Sequence, residues 1–260
     1  MSNRPTKKPL ASQRVKEAQA AAAGGRRTWW IVGGVVVVVG IALLLAVVMQ
    51  GGDGDAPGGG SSPSGGTVVP SGDLAYGEPS VSGTAIAELP QAGAGNPAAD
   101  PAVGTRAPTI SGQTFDGSPV SISNDARPKV VVFLAHWCSH CQAEVPRLQS
   151  WFGQNGMPSD VEVVAVATGT SPERGNYPPG DWLRGEGWSV PTILDDAQNG
   201  AAQAYGLTSF PFFVVLDADG KVVVRASGEL DESSWERLLE AARTGTFTGT
   251  LGAGAASGAS

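Results

Sequence analysis

Two cysteines, Cys138 and Cys141, are the only ones in the 260-residue chain, and they stand three positions apart in the run His136-Trp137-Cys138-Ser139-His140-Cys141. A C-x-x-C pair at the start of a helix has a definite chemistry. The first sulfur meets free backbone N–H groups and the positive end of the helix macrodipole, which favour its thiolate, and the second lies one turn further in, within reach of the first. Other readings of the cluster are metal binding and an inert disulfide. A structural zinc needs four ligands, and Cys138, Cys141, His136 and His140 are too close together for ordinary zinc spacing. A disulfide spanning two intervening residues would constrain little chain entropy. Thiol-disulfide exchange, with Cys138 as nucleophile and Cys141 as resolving thiol, is the chemistry that the spacing favours. His136 reads as an exposed residue beside the pair.

Such a pair needs a rigid strand before it and a helix after it. Val130 to Ala135 (VVVFLA) is a continuous apolar run of the kind found in a strand buried on both faces. Ser139 to Phe152 follows as a helix with Val145, Leu148, Trp151 and Phe152 on one stripe. Upstream, Thr109 to Ile122 places an Asp116-Gly117 turn between two short β-forming runs, a hairpin pattern. Downstream, Val161 to Ala167 reads as a second buried strand, and Asp181 to Trp188 and Asp196 to Tyr205 as short helices. Phe212 to Leu216 and Lys221 to Ala226 form a second hairpin across Asp217-Ala218-Asp219-Gly220, and Asp231 to Arg243 closes the pattern as an amphipathic helix with Trp235, Leu238 and Leu239 inward. This order predicts an α/β domain over 103–245, with a central mixed sheet covered by helices on both faces.

The remainder of the chain has a different character. Net charge is −7, yet residues 1–28 carry seven Lys or Arg against Glu17 alone. They precede a charge-free apolar run, 29–49, whose 21 residues would span roughly 30 Å as a helix, the thickness of a bilayer's hydrocarbon core. The basic side of a span stays in the cytoplasm, so the tail is expected inside and the acidic remainder outside, with the chain held as a single-pass protein of the cell membrane. No small-residue cleavage site follows Met49, and no Cys follows to carry a lipid. Residues 50–102 are rich in Gly, Pro, Ser and Ala and read as a flexible linker of roughly 40 Å root-mean-square span, with a short pairing segment at Val81 to Leu89 as the alternative there. Residues 246–260 read as a disordered tail.

The motif VVVFLAHWCSHCQAEVP, together with Tyr205-Gly206-Leu207-Thr208-Ser209-Phe210-Pro211 before FFVVLDADGKVV, resembles the thioredoxin superfamily and, within it, the membrane-tethered TlpA/ResA-like redoxins. The resemblance implies a thioredoxin-like fold and thiol-disulfide oxidoreductase activity without a cofactor or metal. It implies a cis Pro211 facing the cysteines, a backbone at Phe210 and Pro211 that pairs with extended substrate, and Trp137 at the substrate surface rather than in the core. Val132 stands where thioredoxin itself carries a buried acid, which leaves Glu144 as the proton-relay candidate by family match. Glu144 also reads as a solvated glutamate that simply favours the helix N-terminus. Phe210 replaces the Thr of many relatives. His140 occupies a position that is also His in strongly oxidising members, where an imidazolium would stabilise the Cys138 thiolate and make the disulfide the better oxidant.

Implied partners are cysteine-containing exported proteins and a membrane or extracytoplasmic redox partner. A peroxiredoxin-like peroxidase and a copper-delivery module are the alternatives. His136-Trp137-Cys138 lacks the Thr/Ser and Pro that precede a peroxidatic cysteine, whereas the copper reading draws on the nearness of the two histidines and two cysteines. Asp195-Asp196 and Asp217-Asp219 fit turn chemistry rather than a calcium loop. No phosphate loop or basic aromatic patch suggests nucleotide or nucleic acid.

Overall fold

The computed structural model describes residues 74–252. The basic tail 1–28 and the apolar run 29–49 lie outside those residues. Among the described residues, no helix is long and apolar enough to cross a membrane.

Among the described residues the first strand is β1 (Ser80–Ser82), followed by β2 (Thr109–Gln113) and β3 (Pro119–Ile122), which form a three-stranded antiparallel sheet in the order β1-β2-β3. Then come β4 (Lys129–Leu134), α1 (Ser139–Asn155), β5 (Glu162–Ala167), α2 (Pro179–Gly185), β6 (Thr192–Leu194), α3 (Gly200–Ala204), β7 (Phe212–Leu216), β8 (Val222–Ser227) and α4 (Glu232–Thr244). The main sheet has the order β6-β5-β4-β7-β8, with β4, β5 and β6 parallel and β7 and β8 antiparallel. It is therefore a mixed sheet, and β4, which carries the chain into the cysteine motif, is its central strand.

Successive residues of a strand point to opposite faces, so β4 feeds two cores. Val130, Val132 and Leu134 pack with Val145, Leu148 and Phe152 of α1 and Trp235 and Leu238 of α4. Val131 and Phe133 pack on the other face with Ala201 and Ala202 of α3 and with Ile110 and Ile122 of the small sheet. All six residues of β4 are buried, which explains the unbroken apolar run from Val130 to Leu134, and the lysine that opens the strand, Lys129, is paired with Asp125 and Glu162.

Three sequence expectations need correction. From Ser80 onward the supposed linker is part of the globular unit: β1 pairs with β2, and Ile86 and Leu89 are buried in the second core. Asp100 forms a fully buried ion pair with Arg225 of β8. Gly206 (φ +66°) accepts this segment closely, since a Cβ there would lie 2.2 Å from the Ala87 carbonyl oxygen. The described part of the tail also folds back, with Gly252 N donating to Ser234 Oγ at 2.7 Å and Leu251 packing on the first core. Lastly, Thr192–Leu194, not anticipated as a strand, forms the β6 edge, and the short helices run over Pro179–Gly185 and Gly200–Ala204 rather than the longer spans expected.

Candidate functional site

Beyond β4 the chain turns sharply, with Cys138 N donating to the Ala135 carbonyl at 3.0 Å. Cys138 is the N-cap of α1, extended at φ −79° and ψ 119°, and its own carbonyl accepts Gln142 N at 3.0 Å. The first N–H groups of a helix have no partner within it, and here those of His140 and Cys141 help to favour the Cys138 thiolate without closing a side-chain cap. The Cys141 thiol donates to the same sulfur, and this is the largest of the effects that lower the Cys138 thiol to about 5. Backbone donation from Cys141 and His140 and the charge of His140 add to it. Both cysteines are free thiols, with Cys138 half-buried and Cys141 buried. Burial drives the Cys141 thiol far upward, although Ala135 N–H lies 3.5 Å from its sulfur. One structural turn thus makes two unequal sulfurs, an ionised one at the rim and a protonated one beneath it.

Glu144 sits one turn below Cys141 and is fully buried, so it is not a solvated carboxylate at a helix start. Its Oε2 accepts Leu230 N at 3.1 Å and Arg147 Nη1, while Oε1 has no hydrogen-bond partner. Burial raises the Glu144 carboxyl to about 7 against the opposing pull of the Leu230 N–H and the Arg147 charge. Arg147 Nη1 also donates to the Leu230 carbonyl at 2.9 Å, and its Nη2 donates to Glu229 Oε2 at 3.0 Å. The other oxygen of Glu229 lies 2.7 Å from His140 Nδ1. That hydrogen bond and the carboxylate charge raise the His140 imidazole above its usual value.

On the opposite side of the motif, the Trp137 indole Nε1 donates to the Gly169 carbonyl at 2.6 Å, and its ring meets Phe210 edge-on at a centroid separation of 5.8 Å. The Phe210-Pro211 peptide is cis, and Phe210 and Cys138 pack against the same core. Arg174 stacks over Trp137, its guanidinium carbon 3.9 Å from the ring centroid. Gly169 (φ +63°) leaves room for this arrangement: a Cβ there would touch both aromatic rings. Its N–H is held by Asn199 Oδ1 at 2.8 Å.

His136, expected to be exposed, is buried. Its Nδ1 lies 2.7 Å from the Gly175 carbonyl, and its Nε2 accepts Ser171 N at 3.1 Å, an arrangement that requires the neutral ring with the proton on Nδ1. Burial lowers its pKa in keeping with this. Both ring nitrogens are spent on the 171–175 loop, so His136 does not converge with His140 on the cysteines. Among the described residues, no group of three or more His, Cys, Asp or Glu side chains is disposed to hold a metal ion. Asp195 and Asp196 serve backbone N–H groups at the start of α3 and Asp217 serves those of its turn, as turn chemistry predicts.

Sequence reasoning missed Arg147, Glu229, Gly169 and Arg174. Arg147 had a local signal, since it follows Glu144 at i+3 on one helix face. Glu229 had none, as it lies 89 residues from the imidazole it contacts.

Comparison with known proteins places this architecture in a family. Methylamine utilization protein MauD of Methylophilus methylotrophus is 29% identical over 151 residues, covering 57% of this chain and 66% of that protein. Sporulation thiol-disulfide oxidoreductase A of Bacillus subtilis is 23% identical over 110 residues, covering 42% of this chain and 65% of that protein, so the match spans slightly less than two thirds of either relative. Thiol-disulfide oxidoreductase ResA of Bacillus subtilis is 25% identical over 148 residues, covering 56% of this chain and 79% of that protein. The model of the Redoxin family matches residues 102–239, the stretch that contains the mixed sheet, both cysteines and Pro211, and on that match this chain belongs to the redoxin family.

Proposed function

We propose that this redoxin is a thiol-disulfide oxidoreductase that exchanges disulfides with cysteine-containing exported proteins, from a domain tethered outside the cytoplasm by residues 29–49. The observation that carries the reading is the inequality of the two sulfurs: Cys138 ionises at about 5 at the rim of α1, whereas buried Cys141 stays protonated. The names of two relatives, both thiol-disulfide oxidoreductases, agree with it.

In the reducing direction, the Cys138 thiolate attacks one sulfur of a client disulfide. A mixed disulfide forms and the client's other sulfur leaves as thiolate. Cys141 then gives up its proton and attacks Cys138 Sγ, which breaks the mixed disulfide, frees the second client sulfur and leaves the Cys138-Cys141 bond. Glu144, with an unpartnered oxygen and a carboxyl near neutrality, is suited to take the Cys141 proton. Oxidation of a client runs the same steps backwards, and Cys141 takes the proton up. Trp137, Phe210 and the backbone at Pro211 form the surface on which extended substrate would lie. A redox partner at the membrane or outside the cytoplasm resets the pair. An easily ionised Cys138 stabilises the reduced form, which favours the oxidising direction.

The full chain should be assayed for insulin reduction and for oxidation of a reduced test protein. Cys138→Ser should abolish both, and both activities left intact in that variant would overturn the assignment.

A further inference from the structure

The rim of the site carries a feature that neither the cysteine motif nor the exchange steps require. Glu229, in the turn between β8 and α4, has its side chain 8% exposed, and its two carboxylate oxygens reach two different cations. Oε2 accepts Arg147 Nη2 at 3.0 Å, and Oε1 lies 2.7 Å from His140 Nδ1. Arg147 is itself fixed, since its Nη1 donates to the Leu230 carbonyl and to buried Glu144. The His140 side chain is 64% exposed, and among the described residues its ring has no other hydrogen-bond partner. An exposed imidazole beside a thiolate would ordinarily sample several rotamers and lose its proton near neutrality.

We propose that Glu229 is a positioning residue for thiol-disulfide exchange: braced by Arg147, its carboxylate holds the His140 imidazolium within electrostatic reach of the Cys138 thiolate and thereby tunes the redox balance of the cysteine pair. The inference rests on the reading of the pair as redox-active and adds the group that sets its poise. The electron balance is that of the pair alone. Reduction of the Cys138-Cys141 disulfide takes two electrons from the dithiol of the exchanging protein and one proton to Cys141, and it leaves Cys138 as thiolate. A cation held within electrostatic reach of that thiolate favours the reduced side.

The groups facing His140 are Cys138 from its own helix and Glu229 from the β8-α4 turn, and those facing Glu229 are His140, Arg147 and the buried Glu144 carboxyl, whose charge repels it across the shared guanidinium. Loss of the carboxylate therefore matters most where His140 owes its proton as well as its position to Glu229. Below about pH 5.5 the imidazole is charged with or without Glu229, whereas at about pH 7.5 an unassisted imidazole, with its ordinary value of about 6.5, is neutral.

The test measures the equilibrium of the full chain with glutathione, with the wild type first shown to exchange. For Glu229→Gln at about pH 7.5, the equilibrium constant for reduction of the disulfide should fall by roughly three- to tenfold, tenfold being ~30 mV for a two-electron couple. At about pH 5.5, where the imidazole is charged in both, the shift should be clearly smaller than at about pH 7.5. In a His140→Ala background, adding Glu229→Gln should change nothing at either pH. A shift of equal size at both pH values, or one that persists without His140, would overturn the proposal and leave Glu229 a structural residue. Should Glu229→Gln fail to fold, NMR titration of His140 in the wild type decides: an apparent pKa well above the ordinary value supports the proposal, and one at or below it overturns it. A wild type that exchanges with nothing would sink the functional reading instead, which is a separate outcome.

Discussion

Arg225 and Asp100 form a fully buried, two-pronged ion pair across 125 positions of sequence, with Nη2 to Oδ1 at 2.6 Å and Nε to Oδ2 at 2.8 Å. The remaining Arg225 nitrogen, Nη1, donates to the Ala87 and Tyr205 carbonyls, so one guanidinium ties the 84–102 segment to β8 and to the end of α3. Removing one member leaves the other charged and unpaired in the core. Asp100→Ala is expected to cost about 3–5 kcal/mol in urea unfolding, and a chain shortened to begin at Val103 should be destabilised by at least as much. A shortened chain as stable as one that begins at Leu74 would show that the segment is only a spacer.

The depressed Cys138 thiol predicts alkylation of the reduced chain with a midpoint near pH 5, against about 8.5 for an ordinary cysteine. The acid-range labelling should vanish in Cys138→Ser, and Cys141 should react only after unfolding. The same shift has a consequence for stability. A thiol whose folded value is lowered contributes stability above its unfolded value, and that contribution is lost as pH falls through the folded one. The reduced form should therefore weaken relative to the oxidised form as pH drops from about 8.5 toward 5, a difference readable in paired thermal melts.

Glu144 works with the opposite sign. Its folded value, about 7, exceeds the usual 4.5, so the folded chain holds an extra proton between the two and loses stability as pH rises through that window. Glu144→Gln removes the cost of burying charge. The variant should be close to wild type near pH 5 and more stable by roughly 2–3 kcal/mol at about pH 9, while resolving mixed disulfides more slowly. An unchanged difference in stability across that range would refute the assignment of the proton to Glu144.

His136 pins the loop that carries Arg174. His136→Ala would remove the hydrogen bonds to the Ser171 N–H and the Gly175 carbonyl, at a cost of about 0.5–1.5 kcal/mol each, since water can replace the lost partner in this largely exposed loop. The expected signature is proteolytic cleavage within 169–177 and a weaker contact between Arg174 and Trp137, seen as altered tryptophan fluorescence, with the Cys138 titration little changed. A protease-resistant loop in that variant would show that other contacts hold it.

The sequence by itself determined whatever depends on near neighbours. The apolar run 130–135 reads as a strand buried on both faces, the Cys138-Ser139-His140-Cys141 spacing puts one sulfur at a helix start and the other a turn below, and Asp217 to Gly220 encodes its own turn through the Asp217 side chain. Composition misled where a few contacts outweigh the average. Residues 80–100 look like linker because Gly, Pro and Ala dominate, yet Ile86, Leu89 and Asp100 suffice to seat them, and that depends on Arg225 waiting far along the chain. Only the tertiary structure decided that His136 turns inward, that Glu144 is buried with one of its own oxygens unpartnered, and that Glu229 meets His140. Each of these is settled by which segments the sheet order brings together, and pairings across some 40 to 90 residues leave no trace in local periodicity.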